Sequence, residues 1–201
     1  MSTRAFSVTY DYRCPFARNA HEHVVAALRA GADWDVDFAP FSLSQAHVEE
    51  GGPAVWDDPD KAGDLFAIEA SLVVRDTDAE HFLDVHTGLF AARHDLGRDL
   101  RDEAVIREVL KDADVDADRV FAVVAEGGPR QTFRAAHEAA VTDHHVFGVP
   151  TFVLDDRAVF VRIMTRPEGD GARARDTIDK VLSLIDERPE LNEFKYTTIS
   201  R

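Results

Sequence analysis

Cys14 is the single cysteine of this 201-residue chain, and its position is typical of a reactive thiol. A β-branched, apolar run ends just before it, Pro15 follows it, and a segment rich in helix-forming residues begins there. The free N–H groups and the dipole at a helix N-terminus stabilise a thiolate. We therefore expect Cys14 to be exposed, ionised near neutral pH and able to attack disulfide bonds.

The residue three positions after Cys14 is Ala17, so a second redox cysteine is missing from the motif. In a C-x-x-C site the second thiol attacks the mixed disulfide from within. Phe16 and Ala17 offer backbone N–H groups to the sulfur, but no second thiol. This spacing favours monothiol chemistry, in which a small molecule supplies the resolving thiol. The other interpretation is that Cys14 is a small hydrophobic residue with an inert thiol.

The elements that must position Cys14 fall into three parts. The segments "AFSVTYDY", "PFARNAHEHVVAALRAG" and "WDVDFAPF" predict a β-α-β unit with parallel strands. From about Pro59 to His145, apolar residues at three-and-four spacing predict four or five successive helices. Then "VPTFVLDDRAVFV" predicts an antiparallel hairpin, and "ARDTIDKVLSLIDER" predicts an amphipathic helix. The chain should form one mixed sheet covered by helices, with a helical block inserted.

This layout and several motifs resemble the DsbA-like branch of the thioredoxin fold. The segment "RCPFA" is similar to the family's C-P-aromatic-C motif, and "GVPTFVLDDRAVF" is similar to its V-P-T-F segment. The segments "LFAARHDLGRD" and "VFVRIMTRPEGD" resemble its cytoplasmic bacterial members, and "LNEFKYTTISR" resembles the tail of the mycothiol-dependent reductase subgroup. The resemblance implies an α/β, thioredoxin-like domain in residues 1–58 and 146–201, with an all-helical insertion in residues 59–145.

The resemblance also implies the residues of the site. Cys14 would be the catalytic residue, and Val149 and Pro150 would bind substrate. The peptide bond between these last two residues would be cis and would face Cys14. The rest of the active-site motif would be formed by the residues after the nucleophile, which are Pro15, Phe16 and Ala17.

Several histidines are candidates for a groove beside the thiol. His94 and His137 belong to the helical block, which covers the active site in this family, and His144 and His145 come shortly before the V-P-T-F segment. His21 lies in the first helix and could approach the thiol from behind. Histidines at such spacings are more often on a helix surface, and we expect that position for all five. The paired histidines lack the further ligands that a metal site needs, so we expect no metal.

The composition limits the partners of the protein. A formal net charge of −15 argues against nucleic acid or an anionic membrane surface as a partner. The chain has no apolar run of membrane-spanning length, no export segment at its start and one cysteine, which together favour the cytoplasm. We expect a monomer or homodimer that acts on a small thiol and a disulfide or electrophilic substrate.

Three functions remain open from the sequence. The first is a thiol-disulfide oxidoreductase that works through Cys14, with mycothiol or glutathione as co-substrate and no tightly bound cofactor. The second is a thiol-cofactor-dependent transferase or isomerase, similar to kappa-class glutathione transferases and 2-hydroxychromene-2-carboxylate isomerases, where serine is typical at this position. The third is a non-catalytic binding module, which Ala17 favours. Cys14 favours the first, and a composition rich in Ala, Asp, Arg and Val favours mycothiol as the thiol.

Overall fold

A mixed β-sheet forms the centre of the protein, which is described by a computed structural model for residues 3–193, 195 and 196. In this part of the chain the sheet has four strands in the order β2-β1-β3-β4. Their bounds are β1 Arg4–Tyr10, β2 Trp34–Pro40, β3 Thr151–Leu154 and β4 Arg157–Phe160. Strands β1 and β2 are parallel, whereas β3 is antiparallel to both β1 and β4. The sequence predicts the parallel pair β1–β2 and the antiparallel hairpin β3–β4, whereas the antiparallel pairing of β1 with β3 was not predicted.

The helices cover this sheet and form the block between β2 and β3. Helix α1 (Pro15–Arg29) connects β1 to β2, and α8 (Gly171–Glu187) closes the fold. Between the second and third strands lie α2 Leu43–Ala46, a 3₁₀ turn Pro59–Asp64, α3 Phe66–Thr77, α4 Ala79–His94, α5 Glu103–Asp112, α6 Ala117–Ala125 and α7 Gly128–His144. Helices α3 to α7 are the five that the apolar spacing predicts. The short α2 was not predicted.

One apolar core joins the sheet to the helical block. Phe38 of β2 packs against Phe82 of α4, with ring centres 5.2 Å apart. Tyr12, in the turn after β1, packs against Phe90 of α4 at 4.8 Å. Aromatic pairs of this kind contribute about 0.5–1.5 kcal/mol beyond the area that they bury. The turn that carries Cys14 is therefore fixed against both the sheet and the helical block.

The remaining chain features bear less on the site. Within the described part of the chain, none of the helices combines the length and the apolar character needed to cross a membrane. The final segment "LNEFKYTTISR" lies partly outside the described residues.

Candidate active site

Cys14 is the N-cap residue of α1, as the Cys-Pro order predicts. Its backbone is extended, with φ −90° and ψ 118°, and Pro15 starts the helix. Proline is suited to this first helical position because its fixed φ matches the helix and its missing N–H would have no partner there. The Ala17 N–H donates to Cys14 Sγ at 3.5 Å. The sulfur therefore occupies the place of a capping oxygen, in reach of the helix N-terminal amides.

The thiol itself is buried and protonated, which differs from the sequence expectation. Only 8% of Cys14 is exposed, and its Sγ–H donates to the Val149 carbonyl oxygen at 3.3 Å. Burial raises the pKa of Cys14, although the amides of Ala17 and Phe16 act in the opposite direction. The expectation of an exposed thiolate is thus wrong, because desolvation of the charged sulfur outweighs the favourable helix terminus.

The loop before β3 faces the thiol. The Val149–Pro150 peptide bond is cis, and both residues are buried. Thr151 N donates to Thr9 Oγ1 at 2.8 Å, which ties the start of β3 to β1. Val149 O accepts a hydrogen bond from the thiol of Cys14. The Cys-Pro motif and the V-P-T-F segment that the sequence singled out therefore lie in direct contact.

Ala17 fills the position of a second redox cysteine. It is 0% exposed and belongs to the buried face of α1. Phe16, by contrast, is half-buried at the edge of the core. The motif therefore presents one sulfur and one partly exposed aromatic ring.

An acidic side chain that sequence reasoning missed organises the turn before Cys14. Asp11 is 2% exposed, and its Oδ2 accepts from Arg13 Nη2 at 2.7 Å and from Leu43 N at 2.8 Å. Cys14 N donates to the Asp11 carbonyl oxygen at 3.0 Å. Asp11 thus fixes the turn and joins it to the start of α2. A lone aspartate after a strand gave no sequence signal for this role.

A buried chain of hydrogen bonds lies beneath the same turn. Because a carbonyl oxygen only accepts, His21 Nε2–H donates to Thr9 O at 3.1 Å. His21 Nδ1 then accepts from His86 Nε2 at 2.9 Å, and His86 Nδ1 accepts from the Tyr12 hydroxyl at 2.8 Å. We call this chain the Tyr12–His86–His21 relay. It links the turn that carries Cys14 to β1 through the core.

The relay histidines are neutral because they are buried. His21 and His86 are both 0% exposed. Burial lowers the pKa of His21 to about 4 and lowers that of His86 well below its usual value. The expected surface position of His21 is therefore wrong. The signal was present in the sequence, since Ala17, His21 and Val24 share one face of α1.

The four groove candidates reach different places. His94 lies against the Cys14 turn, where Nε2–H donates to the Tyr12 carbonyl oxygen at 2.9 Å, and its pKa is lowered mainly by burial. His137 is buried in the core, with Nδ1 accepting from Ser42 N at 3.2 Å, so its expected surface position is wrong. His144 is half-buried, and its Nδ1 has no hydrogen-bond partner among the described residues. His145, the remaining candidate, is exposed at the C-terminal end of α7.

A cavity of about 350 Å³ opens beside the Cys14 turn, between it and the helical block. Charges of both signs line it, and these come from Asp11, Arg13, Asp64, Arg93, Asp99 and Arg101. Within residues 3–193, 195 and 196, no cluster of three His, Cys, Asp or Glu side chains is arranged to hold a metal ion.

Comparisons with solved structures show the same fold at low sequence identity. The chain is similar to the cytosolic disulfide reductase DsbM from Pseudomonas aeruginosa with GSH, at 16% identity and a TM-score of 0.59, covering 90% of this chain and 100% of that one. It is similar to the catalytic domain of Proteus mirabilis ScsC, at 17% identity and a TM-score of 0.57, covering 89% of this chain and 83% of that one. It is also similar to a thioredoxin-like oxidoreductase from Silicibacter pomeroyi DSS-3, at 18% identity and a TM-score of 0.56. This match covers 89% of this chain and 86% of that one.

Sequence comparison identifies the family. No curated protein sequence matches the chain closely enough to count as a relative. The family model of the DSBA-like thioredoxin domain, however, matches residues 7–166, which include Cys14, the helical block and Pro150. The chain therefore belongs to the DSBA-like thioredoxin domain family.

Proposed function

We propose that the protein is a thiol-disulfide oxidoreductase that acts by a monothiol mechanism through Cys14, with a low-molecular-weight thiol as co-substrate. The proposal is supported by one arrangement above all: a single sulfur at the N-cap of α1, 3.3 Å from Val149 O, with Ala17 in place of a resolving thiol. The chain thus keeps the cysteine that would act as nucleophile in disulfide exchange, but it lacks an internal resolving thiol.

The mechanism consists of two exchange reactions. Cys14 releases its proton to solvent, and the thiolate attacks one sulfur of a disulfide. The other sulfur leaves as a thiolate and takes up a proton, so that a mixed disulfide remains on Cys14. A free small thiol then deprotonates and attacks the mixed disulfide, which releases Cys14. These two exchanges release one half of the substrate as a thiol and the other half as a mixed disulfide with the small thiol. A second small thiol must attack that mixed disulfide, which frees the second half of the substrate as a thiol and leaves the disulfide of the two small thiols.

The first helical turn supplies the local stabilisation for this chemistry. The amides of Phe16 and Ala17 act on the sulfur and favour its thiolate form. Because burial acts more strongly in the other direction, the thiolate is a minor form near neutral pH. Attack on a disulfide therefore draws on a small reactive fraction, which suits slow exchange with an abundant small thiol.

Mycothiol and glutathione are the two co-substrates that we propose, with the cytoplasm as the site of action. The DsbM structure similar to this chain is described as cytosolic and contains GSH. A cavity of about 350 Å³ lies beside the Cys14 turn of this chain. We also propose that no cofactor is tightly bound. The small thiol enters as a reactant and leaves as a product.

The test is turnover of a small neutral disulfide, hydroxyethyl disulfide, with glutathione or mycothiol as the reductant. The wild-type protein should catalyse the reaction above the uncatalysed rate, and Cys14→Ser should lose that activity. Absence of catalysis in the wild type with both thiols would favour a binding module and overturn the proposal.

One observation favours the second candidate, a transferase or isomerase that activates the thiol of a bound cofactor. Cys14 donates a hydrogen bond to Val149 O, and burial raises its pKa. A serine hydroxyl could make the same donation. If Cys14→Ser retained glutathione-dependent turnover of an electrophile such as 1-chloro-2,4-dinitrobenzene, this second function would replace the first.

A further inference from the structure

Arg162 places a cation beside the active-site motif. Its guanidinium carbon lies 5.3 Å from the centre of the Phe16 ring, and its side chain is exposed. The preceding residue, Val161, donates its N–H to the Pro150 carbonyl oxygen at 3.1 Å. Arg162 is therefore held next to both halves of the site, the helix turn that carries the thiol and the loop that faces it.

Three other arginines of this region are neutralised by carboxylates. Arg13 pairs with the buried Asp11 at 2.7 Å. Arg18 and Arg166 both pair with Glu22, at 3.1 Å and 2.6 Å. Each of these cations has a structural partner that fixes it in place.

Arg162 differs from them, since no carboxylate lies within 4.0 Å of it among residues 3–193, 195 and 196. The Glu193 carboxylate interacts with Arg162 only through longer-range electrostatic attraction. Its direct ion-pair partner is Lys195, at 2.6 Å. Arg162 therefore adds a positive charge beside the thiol in a chain whose formal net charge is −15. It offsets the repulsion that an anionic reactant meets elsewhere on the surface.

The geometry of the guanidinium suits a carboxylate. Its central carbon lies over the Phe16 ring, a position that holds a cation by attraction to the ring electrons. In this arrangement the N–H groups remain in the guanidinium plane, where they can bind a carboxylate with two parallel hydrogen bonds. Phe16 thus attracts the cation without using its hydrogen-bond donors.

We infer that Arg162 determines specificity for small thiols and disulfides that carry a carboxylate, such as glutathione, over mycothiol, which carries none. The inference rests on the proposed function, because it concerns the molecule that exchanges with Cys14. In the exchange itself, Cys14 forms a bond to one glutathione sulfur, and the other glutathione leaves with the electron pair and takes up a proton. Arg162 binds the carboxylate and transfers no proton.

The experiment compares rates of mixed-disulfide formation with three oxidants, measured by intact mass at low ionic strength. Glutathione disulfide carries carboxylates, whereas hydroxyethyl disulfide and oxidised mycothiol do not. The proteins are the wild type, Arg162→Gln and a control, Arg173→Gln, which removes the same charge from an exposed position in α8. The readout is each rate divided by that of hydroxyethyl disulfide, so a general loss of reactivity cancels.

We expect the glutathione ratio to fall roughly two- to fivefold in Arg162→Gln, the range of an exposed ion pair. The oxidised mycothiol ratio should not change, and Arg173→Gln should match the wild type. High salt should lower the wild-type glutathione ratio toward that of the variant. An unchanged ratio in Arg162→Gln, or an equal fall in Arg173→Gln, would overturn this inference alone. If the wild type formed no adduct with any oxidant, the proposed function would fail and the inference with it.

Discussion

Restoring a cysteine at position 17 should convert the protein from monothiol to dithiol chemistry. Positions 14 and 17 are three apart at the start of α1, so helix geometry places their Cα atoms about 5 Å apart. Disulfides require a Cα separation below about 7 Å. Ala17→Cys should therefore place a second thiol where it can attack a mixed disulfide on Cys14.

The expected size of the effect comes from proximity. A well-oriented internal group acts at an effective concentration that reaches about 10⁵ M, far above any thiol concentration used in solution. After treatment with glutathione disulfide, Ala17→Cys should contain an internal disulfide and no adduct, whereas the wild type should contain the adduct. The two products differ in intact mass, because the internal disulfide only removes two hydrogen atoms.

Ala20→Cys is the matched control for this change. Ala20 is also 0% exposed and lies on the same buried face of α1, so both variants carry a similar cost of overpacking, about 1–3 kcal/mol. Its Cα lies about 10 Å from that of Cys14 by helix geometry, which is too far for a disulfide. Ala20→Cys should retain the adduct at Cys14. The reasoning is refuted if Ala17→Cys keeps the adduct as long as the wild type or Ala20→Cys does.

Three further predictions follow from the buried groups. Because the pKa of Cys14 is raised, its iodoacetamide alkylation rate should rise with pH around a midpoint above that of free cysteine, about 8.5; a lower midpoint would contradict the burial argument. His21 has a folded-state pKa of about 4, so as pH falls below about 6.5 the unfolded chain binds its proton first. The free energy of unfolding should therefore fall by about 3 kcal/mol by pH 4, and urea titrations would measure this loss. The loss should be smaller in His21→Phe and unchanged in the exposed-site control His47→Gln. Tyr12→Phe removes the donor to buried His86 Nδ1 and should lower the free energy of unfolding by about 1–3 kcal/mol; no change in urea unfolding would contradict the relay.

The sequence predicted the parts of the fold that depend on local patterns. The Cys-Pro order located the start of α1, and the β-branched runs located the strands that pair in the sheet. The five block helices followed from apolar spacing. Helix α2 was missed because its four residues, Leu43–Ala46, are too few to show a period, and its cap is a single serine, Ser42.

The site was predicted less completely, since its electrostatics depend on residues distant in sequence. Cys14 is buried by Val149, 135 residues away, and no local pattern reports that contact. His21 was assigned to the surface from its residue type, although its spacing from Ala17 marks it as a core position. The partner that makes this burial possible is His86, which comes from the helical block.

The lifetime of a mixed disulfide on wild-type Cys14 tests the central claim most directly. The protein is treated with glutathione disulfide, freed of excess reagent, and followed by intact mass before and after the addition of reduced glutathione. The monothiol account predicts one adduct per chain, located at Cys14, which persists until the free thiol is added and is then released. Absence of the adduct, or its loss without added thiol, would contradict the account.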